Sequence, residues 1–212
     1  MIIDHDNPVY RQRWLCAGDN RYNGAFYYSK EIVKNIIPNV DTDRNWITVN
    51  VPGVGADHSI MFIHNNLHPE HYDWLRKYND LVLVCGVPDT VKKVEHLGKA
   101  IYLPLSVDVG YVKQFRVKKT KRVAFAGRMT KRKGVEFPAG TDFLEGLTRP
   151  RLLRAMAQYE QVYAVGRVAI EAKILGCEIL PYDTRYPDPS VWKVVDNKEA
   201  AKMLQQMLKE EE

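Results

Sequence analysis

The chain has 212 residues, 45% of them hydrophobic and 27% charged, with a formal net charge of +5. Its length exceeds the usual single-domain size of about 100–150 residues, so one large or two small domains are expected, and the composition excludes a disordered or fibrous chain. The opening MIIDHDNPVYRQR holds charges and no apolar run of signal-peptide length, and no run of ~18 apolar residues occurs, so a soluble, cytoplasmic protein with no membrane span is expected.

In chain order, the first expected element is a short apolar strand, WLCA at 14–17, then a glycine-bearing loop, GDNRYNG, then a helix over AFYYSKEIVKNII that Pro38 stops. Strands are predicted over 46–51 (WITVNV) and 59–63 (SIMFI), both β-branched or aromatic and bounded by turn residues. Pro69 suits a first helical position, and Tyr72, Leu75 and Tyr78 then share one helical face. LVLVCGV (81–87) is the clearest strand. Asp89 is an expected N-cap for TVKKVEHL, Gly98 its C-cap, and AIYLPL (100–105) the next strand.

Residues 117–134 (VKKTKRVAFAGRMTKRKG) are dense in Lys and Arg and hold no acidic residue, which points to a phosphate or a polyanion and marks a linker near 117. Beyond it come a strand RVAFAG (122–127), a helix RPRLLRAMAQY, a strand QVYAV, a helix GRVAIEAKIL ending at Gly176, a strand CEILPY (177–182) and a last helix over 197–210. This alternation predicts an α/β fold: two Rossmann-like parallel-sheet domains, 1–117 and 118–195, with a cleft between them and residues 196–212 as a C-terminal helix that packs back on the first domain. The three cysteines, Cys16, Cys85 and Cys177, are far apart and flanked by apolar residues, so buried thiols are expected rather than disulfides or a metal pair.

MFIHNNLHPEH (61–71) gathers three of the six histidines. His64 and His68 have the i, i+4 spacing of helical zinc ligands, but Pro69 and two Asn make 64–68 a loop, so no metal is expected. His64 stands at a strand end, where it can orient or deprotonate an acceptor hydroxyl or bond loop carbonyls; His68 and His71 are read as surface or cap residues. Gly18 and Tyr22 in the first loop join His64 in an acceptor-side set, Gly18 in a ligand loop or a structural turn and Tyr22 as a ring that can stack on a sugar or a base. Asp108 and Asp183 sit at strand ends.

The stretch V-A-F-A-G-R-M-T-K-R-K-G-V (123–135) resembles the strand-loop of retaining glycosyltransferases of the GT-B fold, where a G-R-x(4)-K-G pattern opens the nucleotide-sugar domain. Gly127, Arg128, Lys133 and Gly134 match it one by one, and a second segment, GRVAIEAKILGCEILPYD (166–183), is similar to the family's E-A-x-x-x-G, with Glu171, Ala172 and Gly176 in register. The segment LPLSVDVGYVKQF is similar to the end of the family's acceptor domain. The resemblance implies a metal-independent enzyme, with no cofactor beyond a nucleotide-sugar donor such as a UDP-sugar. In it Arg128 and Lys133 hold the diphosphate, Gly127 and Gly134 shape the donor loop, Glu171 binds the ribose, and His64 is the acceptor-side catalytic residue. The family's acidic residue eight positions before that Glu is Tyr163 here, and the stretch from Gly134 to Tyr163 is short, so the second domain is a reduced one. Two other readings stay open: a non-catalytic protein that captures a nucleotide or a nucleotide-derived signal, and a basic nucleic-acid-binding protein, nucleic acid being also a possible acceptor.

Overall fold

The computed structural model describes residues 1–4, 24–50, 52–64, 69–127, 136–182 and 186–210. The expected strand over 14–17, the loop with Gly18 and Tyr22, and Cys16 lie outside them. The architecture is α/β, with two all-parallel sheets of five and four strands. The chain divides into two compact units, Met1–Pro104 with Asn197–Glu212, and Leu105–Asp196.

Unit 1 carries β1 (Ile2–Ile3), β2 (Asn45–Ile47), β3 (Ser59–Ile63), β4 (Leu81–Cys85) and β5 (Lys99–Tyr102), which lie side by side in that sequential order. Every residue of β3 and β4 is buried, so both faces of the sheet are covered, as continuous apolar strands require. Alternation divides the side chains between the faces. Ile47, Met61, Ile63, Leu83 and Cys85 point into one core, together with Tyr72 and Leu75 of a 3-10 helical run (Pro69–Lys77) and Val94 of helix α2 (Pro88–Val94). On the other face Trp46 stacks on Phe62, which meets Tyr28 of helix α1 (Gly24–Glu31) edge to face.

Several boundaries differ from the expectation, each for a local reason. The segment 69–77 winds as a 3-10 rather than an α-helix. α1 widens into a π-helical turn (Ile32–Ile36) just before Pro38, which has no N–H to continue the ladder. α2 starts at Pro88 with Val87 as its N-cap, so Asp89 falls inside the first turn instead of capping it. Gly98 does follow the helical segment, but its role is close approach: a Cβ there would lie 2.8 Å from the Leu81 carbonyl oxygen.

Unit 2 opens earlier than the basic run. Val107 N donates to Val195 O, Val109 N to Asp196 Oδ2, and Arg116 Nε to Ile174 O, so residues from 105 onward are tied into it. A short helix that the sequence reading did not expect, α3 (Val109–Lys113), is N-capped by Asp108, whose carboxylate accepts from Tyr111 N. The strands are β6 (Lys121–Ala126), β7 (Asp142–Leu144), also unexpected, β8 (Tyr159–Tyr163) and β9 (Glu178–Leu180), with helices α4 (Arg149–Met156) and α5 (Arg167–Ile174). Helix α6 (Asn197–Lys209) belongs to unit 1: its Asn197 Nδ2 donates to buried Glu31 Oε2 at 2.9 Å, and Gln205 exchanges bonds with the Asp41 backbone.

Part of the basic run has work inside unit 2. Lys119 Nζ donates to Ala157 O at 3.0 Å and Leu175 O at 2.8 Å, closing the C-termini of α4 and α5, where helix dipoles favour a cation. Lys121 Nζ bonds Tyr159 Oη at 3.0 Å and lies 3.6 Å from Asp142. No described helix is long and apolar enough to cross a membrane.

At the amino ends of β2–β4, exposed His58 stands between two carboxylates, Asp80 Oδ2 at 2.5 Å from Nδ1 and Asp43 Oδ1 at 2.9 Å from Nε2. Asp80 and then Asp43 raise the His58 pKa, and His58 lowers both of theirs. A raised histidine stabilises fully below its ordinary value of about 6.5 and stops doing so as pH rises through its folded value; the depressed carboxylates stabilise above about 3.9 and lose that as pH falls through theirs. The clamp is therefore strongest between about pH 4 and 6.5. Melting curves are expected to favour wild type over His58→Gln at pH 5.5, and the gap is expected to close by pH 9. A gap that does not change with pH would refute the linkage.

Candidate functional site

The strand order of unit 2 decides where a ligand fits. β6 passes to β7 on one side of itself, and the chain then crosses to β8 on the other, giving the order β7-β6-β8-β9. In parallel sheets such a reversal parts the loops beyond the carboxyl ends of the two central strands and leaves a crevice there. The described strands of unit 1 run in sequential order and have no such reversal.

A cavity of about 500 Å³ lies at that edge of unit 2. Its lining includes Tyr163 at the end of β8, Val165 two residues past it, Tyr182 beyond β9, and Glu136 and Phe137, where the described residues resume after Gly127. The rings form a continuous group: Phe137 meets Tyr163 at 5.1 Å and Tyr182 at 5.9 Å, and Tyr186 meets Tyr182 at 6.1 Å. Beneath them Phe125 of β6, fully buried, packs 4.8 Å from Phe137 and 5.3 Å from Tyr182. Trp192 closes one wall. Its indole is 3% exposed, and Nε1 has no hydrogen-bond partner among the described residues. That wall is held from α5, where Lys173 Nζ donates to Pro189 O at 2.6 Å and Trp192 O at 2.9 Å, and burial lowers the Lys173 pKa.

Two carboxylates line the cavity. Asp188 Oδ1 accepts from Ser190 N at 2.8 Å, and its pKa is lowered by that backbone bond. Exposed Glu136 makes no hydrogen bond or ion pair among the described residues, and no Lys, Arg or His is among the described lining residues.

Of the residues singled out from the sequence, Gly127 directly follows β6 at this edge. Arg128, Lys133 and Gly134 lie between Gly127 and Glu136, outside the described residues, as do Gly18, Tyr22, His68 and Asp183. Glu171 sits on α5 at 4% exposure, its Oε1 2.8 Å from Arg149 Nη2 and 3.8 Å from Arg167 Nη2, while the Arg149 guanidinium also covers the Tyr111 ring. α5 begins after Gly166, whose φ of +62° is a conformation L side chains rarely adopt.

His64 belongs to unit 1, at the carboxyl end of β3. Its ring Nε2 donates to Thr48 O at 2.7 Å, its backbone N donates to Asn50 Oδ1 at 2.6 Å, and Tyr28 meets the ring edge to face. Because a carbonyl oxygen only accepts, Nε2 is the nitrogen that carries the proton in this bond. Among the described residues no group of His, Cys, Asp and Glu is arranged to hold a metal ion. A larger cavity of unit 1, about 640 Å³, includes His58, Asp43 and Asp80 and opens at the amino ends of its strands, the edge opposite to where such sheets take ligands.

The pocket residues that the sequence reading missed carried a weak signal. Phe137, Tyr182 and Tyr186 each stand next to a proline, in EFP, PYD and YPDP, just past strand or loop ends. Compared with known proteins, the chain matches no family model, no curated protein and no solved structure.

Proposed function

We propose that the chain binds a nucleotide-sugar on unit 2 and transfers the sugar, with retention of configuration, to an acceptor. The supporting observation is the aromatic cavity at the β6/β8 reversal, entered by a chain that has just passed through Arg128 and Lys133. The rings give a base a stacking surface, and the two cations meet the charge of a departing diphosphate without a metal. Gly127 and Gly134 flank the two cations in sequence, and Glu171 is the ribose-side residue of the GT-B reading, with its two arginines fixing the carboxylate.

Binding without transfer is the second reading. It is favoured by His64, whose Nε2 is engaged by the Thr48 carbonyl, and by Tyr163, which belongs to the pocket's ring group instead of supplying an acid. Lys119 and Lys121, bonded inside unit 2, weaken the nucleic-acid reading.

Thermal shift tests the site. A nucleoside diphosphate at a hundred times its dissociation constant is expected to stabilise wild type by ~2.7 kcal/mol and the Arg128→Ala/Lys133→Ala variant far less. Release of free sugar from the matching nucleotide-sugar then separates transfer from capture. If no nucleotide raises the melting temperature, the proposal falls.

A further inference from the structure

We propose that the base taken by the unit 2 cavity is guanine, so that the donor is a guanosine-diphosphate sugar; this rests on the nucleotide-sugar reading above. The cavity offers rings and an unusual polar set. Its ionised groups among the described lining residues are carboxylates, which accept only, and its wall includes Trp192, whose buried Nε1 donates only. Asp188 already gives Oδ1 to Ser190 N, whereas neither oxygen of Glu136 has a bond among the described residues, which makes Glu136 the better two-oxygen acceptor for a ligand. Trp192 is 3% exposed, and its buried Nε1 has no hydrogen-bond partner among the described residues, a cost that an acceptor on the ligand would remove.

The bases differ in what they present to such a set. Uracil has a single ring N–H between two carbonyls, and adenine and cytosine have an amino group beside ring acceptors. Guanine alone presents two adjacent donors, N1–H and the 2-amino group, and so matches both oxygens of one carboxylate. Its O6 and N7 are acceptors, suited to an indole N–H. A planar purine between Phe137, Tyr163 and Tyr182 fits a cavity of this size, within the ordinary range of about 300–1,000 Å³ for small-molecule sites.

The test is calorimetric titration of the full chain with GDP, inosine diphosphate, ADP, UDP and CDP, repeated on Glu136→Gln. Inosine diphosphate differs from GDP only in lacking the 2-amino group. GDP is expected to bind about tenfold or more tightly than every other member of the panel, because a polar site rejects ligands that leave its groups without partners. Glu136→Gln, a change at an exposed position, is expected to weaken GDP about tenfold and erase its margin over inosine diphosphate. Trp192→Phe keeps an aromatic ring but removes the indole N–H, and is expected to weaken GDP while the nucleotide still protects against thermal unfolding. If UDP, ADP, CDP or inosine diphosphate binds wild type as tightly as GDP, or Glu136→Gln keeps the GDP margin, the guanine assignment is overturned and the nucleotide-sugar reading stands. If no nucleoside diphosphate binds, both fall together.

Discussion

Replacing Glu171 by alanine is expected to lower unfolding stability by about 3–5 kcal/mol, the range found when one partner of a buried ion pair is removed. Its carboxylate is 4% exposed and stands against two guanidiniums, Arg149 at 2.8 Å and Arg167 at 3.8 Å. The loss is so large because the charges left behind repel each other in a poorly solvated site. Urea unfolding of Glu171→Ala, Arg149→Met and the double variant forms a cycle: the double is expected to cost less than the sum of the singles, by about 0.5–3 kcal/mol. Additive costs would mean that the pair contributes nothing. A further comparison separates scaffold from ligand contact, since Glu171→Gln keeps the side-chain shape. If Glu171 also binds ribose, this variant will lose nucleotide affinity beyond what its stability change accounts for.

The second large effect is expected at Phe125. Its ring is fully buried and touches Phe137, Phe143 and Tyr182, so it belongs to the core of unit 2 and supports two of the rings that line the pocket. Phe125→Ala removes the transfer energy of the ring and leaves a cavity, together about 3–5 kcal/mol. Phe125→Leu keeps most of the volume and is expected to cost under about 1.5 kcal/mol. The informative readout is nucleotide affinity in the leucine variant. A fall greater than its stability loss predicts would mean that this ring sets the lining rings for the ligand; unchanged affinity would detach it from binding.

The strands were the most legible part of the fold. SIMFI is β3 residue for residue, and LVLVC is β4 within its predicted run, because apolar and β-branched runs of five leave little alternative. What escaped was short or of mixed propensity. β7 is three residues, and α3 is Val-Gly-Tyr-Val-Lys, poor helix formers whose one clear signal was the capping Asp108. The boundary near 117 was read from charge, but Lys119 and Lys121 serve helix ends and a tyrosine, and composition does not distinguish a linker from a set of internal bonds. The site was legible at single positions and illegible in its convergence. Glu171 was picked out by pattern, whereas its partner Arg149 is remote in sequence. Phe137, Tyr182 and Trp192 meet only once the order of β6, β8 and β9 is known. For His64 both the strand end and a bond to a loop carbonyl could be read, but not that Thr48 supplies that carbonyl.

Unit 1 is made from both ends of the chain, with all of unit 2 between Pro104 and Asn197. During synthesis the first five strands therefore leave the ribosome well before the helix that completes them. At about 5–20 residues per second the wait is on the order of ten seconds. Throughout that interval the carboxylate of Glu31 lacks Asn197, and the apolar stripe of Ala200, Ala201 and Leu204 has not yet covered its share of the core. Unit 2, continuous in sequence, can finish first, so the later-made half is the one able to reach its native form while the earlier half is still exposed to chaperones.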